Sequence, residues 1–170
     1  MVINVVAQVW LYLARNARRH RWLPLATSTW DVTATSLVLA ALAFHDPVAA
    51  TSSVVVWCFY VIAIVFSALR HDGRLTLYIG ALAMLQYALV GWGVLAFTPG
   101  ELQVSVDYGT ASPGALVQRV VLLLIVTVVT AMIVYRMQRL VEMSGRDGLT
   151  SLPNRAWLLQ SMPRILDTAR

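Results

Sequence analysis

The sequence predicts an all-α fold: a polytopic bundle of four transmembrane helices, preceded by an interfacial amphipathic helix and followed by a long signalling helix. The first observation is composition, with 59% hydrophobic residues, 12% charged residues and a mean hydropathy of +0.70. Soluble domains are far more polar than this. The second observation is that four apolar stretches are each long enough to cross a bilayer. The third is that arginines concentrate in the segments between and beyond these stretches.

The segment before the first span predicts a helix that lies on the membrane. Met1 to Ala14 is apolar but short for a crossing. Polar side chains recur along it every three to four residues, as one helical stripe, and the basic residues follow. The stripe and the basic cluster comprise Asn4, Gln8, Tyr12, Arg15, Arg18, Arg19 and Arg21. We therefore expect residues 1–22 to form a cytoplasmic interfacial helix and basic segment.

The first predicted span lies within Leu23 to Ala43, and Asp31 allows two interpretations. Ser28 followed three residues later by Asp31 resembles a capping box, which would start the helix there. If the helix instead begins near Pro24, Asp31 falls inside the membrane and becomes a functional candidate. The sequence His45-Asp46-Pro47 then ends the helix, because proline disfavours its continuation.

Three further spans are predicted, within residues 48–69, 75–97 and 115–135. Gly73 is expected to stop the second span, in the polar loop from Arg70 to Arg74. The longer loop from Thr98 to Pro113 carries acidic residues and no basic ones. We expect residues 23–135 to form a four-span membrane domain.

Two more polar residues join Asp31 as candidates for intramembrane sensing. Gln86 lies near the middle of the third span and Arg119 near the outer end of the fourth. Such residues either line a pocket for a small ligand or form helix–helix contacts, and the sequence leaves both open. The signal itself, a small molecule or a change in the membrane, is not identified.

The distribution of charge predicts the orientation. All 13 basic residues other than histidine are arginine. Four spans with both termini inside place twelve of them in the cytoplasm and leave Arg119 near the outer surface, as the positive-inside rule requires. We therefore expect a bacterial inner (cytoplasmic) membrane protein whose arginines contact anionic lipid, and no nucleic-acid partner.

The fourth span is predicted to continue as one helix into the cytoplasm. No glycine or proline interrupts the chain between Ala115 and Gly145, and residues 136–146 would form the signalling helix. Along it, Ile133, Met137 and Leu140 form an apolar seam with spacings of four and three. This seam fits a coiled coil between two copies of the chain, which would make the protein a homodimer. Packing of the helix within one chain would explain the seam about as well.

The residues after this helix resemble the opening of the GGDEF family of diguanylate cyclases. Such domains typically begin with Asp, one residue, Leu-Thr, one residue, Leu, one residue and Asn-Arg. Ser151 stands where the family most often has glycine. Residues 147–170 are therefore expected to be the start of a GGDEF domain truncated at Arg170. The matching junction residues are Asp147, Leu149, Thr150, Leu152, Pro153, Asn154 and Arg155.

The resemblance implies that residues 23–135 are a membrane sensor domain and that residues 136–146 are its signalling helix. It also implies an activity for the full-length protein. Two chains would bring two GTP molecules face to face with Mg²⁺ and form cyclic di-GMP. The family's metal-binding Asp and its Gly-Gly-Asp/Glu-Glu-Phe hairpin lie further downstream, so no catalytic residue, cofactor or metal ligand is expected within these 170 residues. Asp147 and Arg155 are expected to pair and to fix the angle between helix and catalytic domain.

Two alternatives remain at this stage. A degenerate downstream domain would make the protein a non-catalytic receptor for cyclic di-GMP. The second alternative is a small transporter or a structural membrane protein, although no inverted repeat supports transport. A bound metal or haem is not expected, because Cys58 is the single cysteine and the three histidines are spread over both sides of the membrane.

Overall fold

The computed structural model describes residues 22–98, 104–105, 109–110, 112–144 and 162. The fold is all-α, as predicted. A pair of two-residue antiparallel strands, β1 (Val104–Ser105) and β2 (Gly109–Thr110), lies in the long loop. The helices are α1 (Leu23–Ala43), α2 (Pro47–Ser52), α3 (Val54–Ala68), α4 (Gly73–Phe97) and α5 (Pro113–Ser144). The predicted N-terminal helix and the junction from Asp147 to Arg155 lie outside the described residues.

Within the described ranges, four segments are long and apolar enough to cross a membrane, and these are the four predicted spans. Three are the single helices α1, α4 and α5, and the fourth combines α2 and α3. This composite span is interrupted at Ser53, whose backbone is extended (φ −62°, ψ 112°). The Ser53 hydroxyl accepts a hydrogen bond from the Val56 amide and so caps α3. The sequence analysis treated this span as continuous, and the break was missed.

The structure decides between the two starts considered for the first span and corrects one further prediction. The start near Pro24 is confirmed, because α1 begins at Leu23, and the capping box is contradicted, because Ser28 lies buried within the helix. Gly73 does not stop α3, which ends at Ala68; instead Gly73 is the first residue of α4. The left-handed residue of the loop is His71 (φ 54°), and the Asp72 carboxylate caps α4 by accepting from two amides.

The helices pack antiparallel around one apolar core. Buried side chains from α1, α3, α4 and α5 meet there, and Tyr60 and Tyr87 are its largest members. The core residues are Val32, Leu39, Tyr60, Ile64, Leu75, Ile79, Ala83, Tyr87 and Leu123. At one end of the bundle, the start of α4 and the far end of α5 meet, since Gln138 donates a hydrogen bond to the His71 carbonyl. We call this the arginine end, because it holds Arg70, Arg74, Arg136 and Arg139.

Helices α4 and α5 approach each other closely along three glycines. A Cβ atom placed on Gly73 would lie 2.7 Å from Cζ of Tyr135, and one on Gly80 would lie 2.7 Å from Cβ of Thr127. A Cβ on Gly91 would overlap Leu116. Small residues let helix backbones approach in a bilayer, where dispersion contacts rather than water exclusion hold helices together. The α4–α5 pair is therefore packed along the whole membrane-crossing length of α5.

Candidate functional site

Two groups of hydrogen-bonded residues, joined by one aromatic contact, run through the membrane-spanning part of the bundle. We call them together the polar chain. It draws on every one of the five described helices, and its most buried members, Tyr60 and Tyr87, are 0% and 1% exposed. Thr51 and Ser52 take part through their backbone carbonyls, and the other members take part through their side chains. Its residues are Thr33, Ser36, Thr51, Ser52, Tyr60, Gln86, Tyr87 and Arg119.

Gln86 belongs to the half of the polar chain that joins α1, α3 and α4. Its Oε1 accepts a hydrogen bond from Ser36 at 2.5 Å, and its Nε2 donates to Thr33 Oγ1 at 3.2 Å. The Ser36 oxygen lies 2.8 Å from the Tyr60 hydroxyl. A serine hydroxyl carries one proton, so Tyr60 is the donor of that bond when Ser36 donates to Gln86. The amide of Gln86 thus joins α4 to α1, and Ser36 joins α1 to α3.

Arg119 compensates for the break between α2 and α3. The helix ends at Ser52, so the carbonyls of Thr51 and Ser52 lose the amide partners they would have in a continuous helix. The Arg119 guanidinium donates to these two carbonyls, at 2.5 Å and 2.6 Å. The carboxyl end of a helix also carries partial negative charge, which favours a cation there. Arg119 therefore connects the first turns of α5 to the broken span.

Tyr87 links the two halves of the polar chain. Its hydroxyl donates to the Thr51 carbonyl at 3.0 Å and accepts from Arg119 at 3.5 Å. Its ring meets that of Tyr60 edge to face, with centroids 5.8 Å apart. Hydrogen bonds and one aromatic contact therefore connect Gln86 with Arg119, two of the three predicted sensing residues.

The third predicted residue, Asp31, takes no part in the polar chain. Its side chain is exposed on the surface of α1, and its nearest charge interaction is with Arg70. Arg70 itself donates a hydrogen bond to Thr27 at 2.6 Å. Burial lowers the pKa of the Arg70 guanidinium and Asp31 opposes that shift, but arginine stays charged at neutral pH. Asp31 thus lies on the exposed surface of α1, apart from the polar chain.

The aromatic residues of the spans differ in their surroundings. Tyr60 and Tyr87 are buried in the polar chain, whereas Trp92 is 63% exposed and packs edge to face with Phe97. The indole nitrogen of Trp57 is buried and has no acceptor among the described residues.

The polar chain has the chemistry of a set of helix–helix contacts. The amide of Gln86 and the guanidinium of Arg119 are both engaged with protein partners. Within the described part of the chain, no three His, Cys, Asp or Glu side chains gather where they could hold a metal ion. The sequence analysis missed Thr33, Ser36 and Thr51. A signal for Thr33 and Ser36 was present, because they lie three residues apart on one helical face. Thr51 gave no such signal, because it takes part through its backbone carbonyl, which every residue has.

Helix α5 leaves the bundle at the arginine end without a break. It runs for 32 residues to Ser144, past the Arg136 and Arg139 guanidinium groups. The seam residues Ile133, Met137 and Leu140 are 54%, 50% and 61% exposed, so the described part of the chain leaves them uncovered. Of the predicted junction residues Asp147, Leu149, Thr150, Leu152, Pro153, Asn154 and Arg155, all seven lie outside the described residues.

Comparison with protein-family models, with curated proteins and with solved structures finds no match to this chain. The arguments for function therefore rest on the polar chain, on the continuity of α5 and on the sequence that follows it.

Proposed function

We propose that this chain is the membrane sensor and signal-transmitting region of a diguanylate cyclase, which makes cyclic di-GMP from GTP with Mg²⁺ in the full-length protein. The observation that carries the proposal is the continuity of α5. Its 32 residues extend about 48 Å, against a hydrocarbon core of about 30 Å. The helix is therefore long enough to project beyond the bilayer toward the residues that resemble the start of a GGDEF domain.

The contacts of α5 supply a physical route for transmission. Arg119 holds one end of the helix to the α2–α3 break, Thr127 packs on Gly80 in the middle, and Gln138 binds the His71 carbonyl near the other end. A change in the polar chain would shift the balance between two packings of α5 on α4. Because helix–helix packing has discrete solutions, the helix would translate or rotate as one body.

The exposed seam supports a homodimer. Ile133, Met137 and Leu140 follow the spacing of coiled-coil contacts, and Met137 and Leu140 lie beyond the arginine Arg136 that ends the apolar stretch. Apolar side chains beyond Arg136 lie outside the hydrocarbon core, so lipid tails do not shield them from water. We therefore infer that a second copy of α5 covers them. Pairing of two α5 helices would bring two nucleotide-binding domains together.

We infer a bacterial inner membrane location with both termini in the cytoplasm. The difference in charge between the two ends of the bundle supports this inference. Four arginines lie at the arginine end, whereas Asp46 lies at the opposite end. Positive residues remain preferentially on the cytoplasmic side during insertion.

The test is to change the rotational phase of α5 in the full-length protein. Insertion of one to seven alanines after Glu142 adds about 100° of rotation per residue without adding a helix breaker. Cyclic di-GMP production by the protein in nanodiscs should oscillate with the number of inserted residues, and the seven-residue insertion should restore the original output. Output that is independent of insertion length would contradict transmission through α5.

A second variant tests the junction. Asp147→Ala in the full-length protein should change cyclic di-GMP output, because the proposed contact with Arg155 sets the angle at which α5 meets the catalytic domain. Ser151→Gly, which restores the residue most common in the family, is the matched control and should leave output unchanged. If the full-length protein binds cyclic di-GMP but makes none, the non-catalytic receptor is the correct function.

A further inference from the structure

Two grooves open at the arginine end, one on each side of the start of α4. The α4/α5 groove has a volume of about 390 Å³, and the α1/α4 groove about 470 Å³. The α4/α5 groove is lined by Leu77, Val128, Ala131, Met132, Tyr135, Arg136 and Arg139. The α1/α4 groove is lined by Pro24, Leu25, Arg70, Asp72, Arg74, Leu75 and Tyr78.

We propose that the α4/α5 groove binds one anionic phospholipid, with its phosphate at Arg136 and Arg139 and an acyl chain along the apolar floor. The two arginines lie three residues apart on α5 and therefore point to the same side of the helix. Both are exposed, and neither pairs with a carboxylate among the side chains that the structure describes, which on α5 extend to Leu140. Within that part of the bundle, their charge faces no acidic partner.

The order of residues along the groove matches the order of groups in a lipid. Val128, Ala131 and Met132 precede Arg136 by one to two turns and lie within the apolar stretch of α5. Tyr135 stands between these side chains and the arginines, at the level where tyrosine is enriched in membrane proteins. A free phosphate would use the arginines alone, whereas a phospholipid uses the arginines and the apolar floor together.

The α1/α4 groove provides an internal comparison. It also has two arginines and a tyrosine, but the Asp72 carboxylate lies in its lining. One of its arginines, Arg70, already donates to Thr27. The positive potential available to an anion is therefore lower than in the α4/α5 groove, where the lining contains no acidic residue.

The test measures lipid selectivity of the whole chain in phosphatidylcholine bilayers. Spin-labelled phosphatidylglycerol and spin-labelled phosphatidylcholine report how much each lipid is immobilised by the protein. We expect R136Q/R139Q to lower the selectivity for phosphatidylglycerol by roughly fivefold per arginine lost. R136K/R139K keeps the charge and should keep the selectivity. R70Q/R74Q is the matched control and should leave it unchanged.

A phosphatidylglycerol with a photoreactive acyl chain locates the site, and mass spectrometry should find it attached within residues 128–139. Equal loss of selectivity in R136Q/R139Q and R70Q/R74Q would show diffuse attraction to a basic surface and overturn the proposal. Displacement of the lipid by soluble glycerophosphoglycerol at low concentration would also overturn it, because the apolar floor would then contribute nothing. Circular dichroism establishes that all variants keep their helix content, and neither lipid readout requires the proposed signalling function.

Discussion

The closest approach of α4 and α5 gives a prediction whose magnitude follows from the structure. A Cβ on Gly80 would lie 2.7 Å from Cβ of Thr127 and still nearer to its Cγ2 and Oγ1 atoms. Thr127 cannot easily turn away, because its hydroxyl donates to the Leu123 carbonyl at 2.7 Å and its branched side chain is restricted in a helix. Gly80→Ala therefore requires the two helices to separate, at a cost of about 1–3 kcal/mol.

Gly93→Ala is the matched control. Gly93 lies in the same helix, and nothing lies within 4 Å of a Cβ placed on it. Both variants gain about 1 kcal/mol of helix propensity, so the difference between them isolates the steric cost. Thr127→Ala removes two of the three overlapping atoms and should recover part of the loss in the double variant.

The assay is reversible unfolding in mixed detergent micelles, followed by circular dichroism. We expect Gly80→Ala to have a free energy of unfolding about 1–3 kcal/mol below that of Gly93→Ala. Equal free energies for the two variants would refute the close packing of α4 on α5 at Gly80.

Three further predictions concern polar contacts, all measured as free energies of unfolding. Arg119→Ala should lower the free energy of unfolding by about 2–3 kcal/mol, because it leaves two carbonyls without their charged donor. Gln118→Ala, at an exposed neighbouring position, is the control and should be nearly neutral. Equal effects of the two variants would contradict the role of Arg119. A double-mutant cycle of Ser36→Ala and Gln86→Leu should give a coupling of about 0.6–1.7 kcal/mol, and additivity would show that the 2.5 Å hydrogen bond contributes nothing. Asp72→Ala should lower the free energy of unfolding by about 1 kcal/mol, because it removes the cap of α4. Asp72→Asn should keep most of that stability, because asparagine also caps helices. Equal losses in the two variants would argue against the cap.

The spans could be predicted from sequence because apolar length is a direct physical requirement for crossing a bilayer. The first span was predicted within Leu23 to Ala43, and α1 has those limits. The capping box at Ser28 and Asp31 failed because a later start would leave backbone groups of the preceding apolar turns without partners in the membrane. The early start is also favoured by Pro24, which suits a first helical turn.

The contacts between helices could not be predicted in the same way. The break at Ser53 follows the hydroxyl residues Thr51 and Ser52, which also occur within continuous helices, and its compensation comes from Arg119, far along the chain in another helix. Gln86 and Arg119 could be identified as polar residues within spans, but not their connection through Tyr87. Nothing local in the sequence tells which face of α4 meets α5, so the role of Gly80 was not predictable either.

The most direct test of the account is a distance measurement along α5. Val117 and Leu140 are each 61% exposed, and in one continuous helix their Cα atoms lie about 35 Å apart. Spin labels on Val117→Cys and Leu140→Cys, in a Cys58→Ala background and diluted with unlabelled protein, report this distance by pulsed electron paramagnetic resonance. A single narrow distribution consistent with about 35 Å between the Cα atoms is the result we expect. A broad distribution, or one centred at a much shorter distance, would show that α5 is not one rigid helix and would contradict transmission along it.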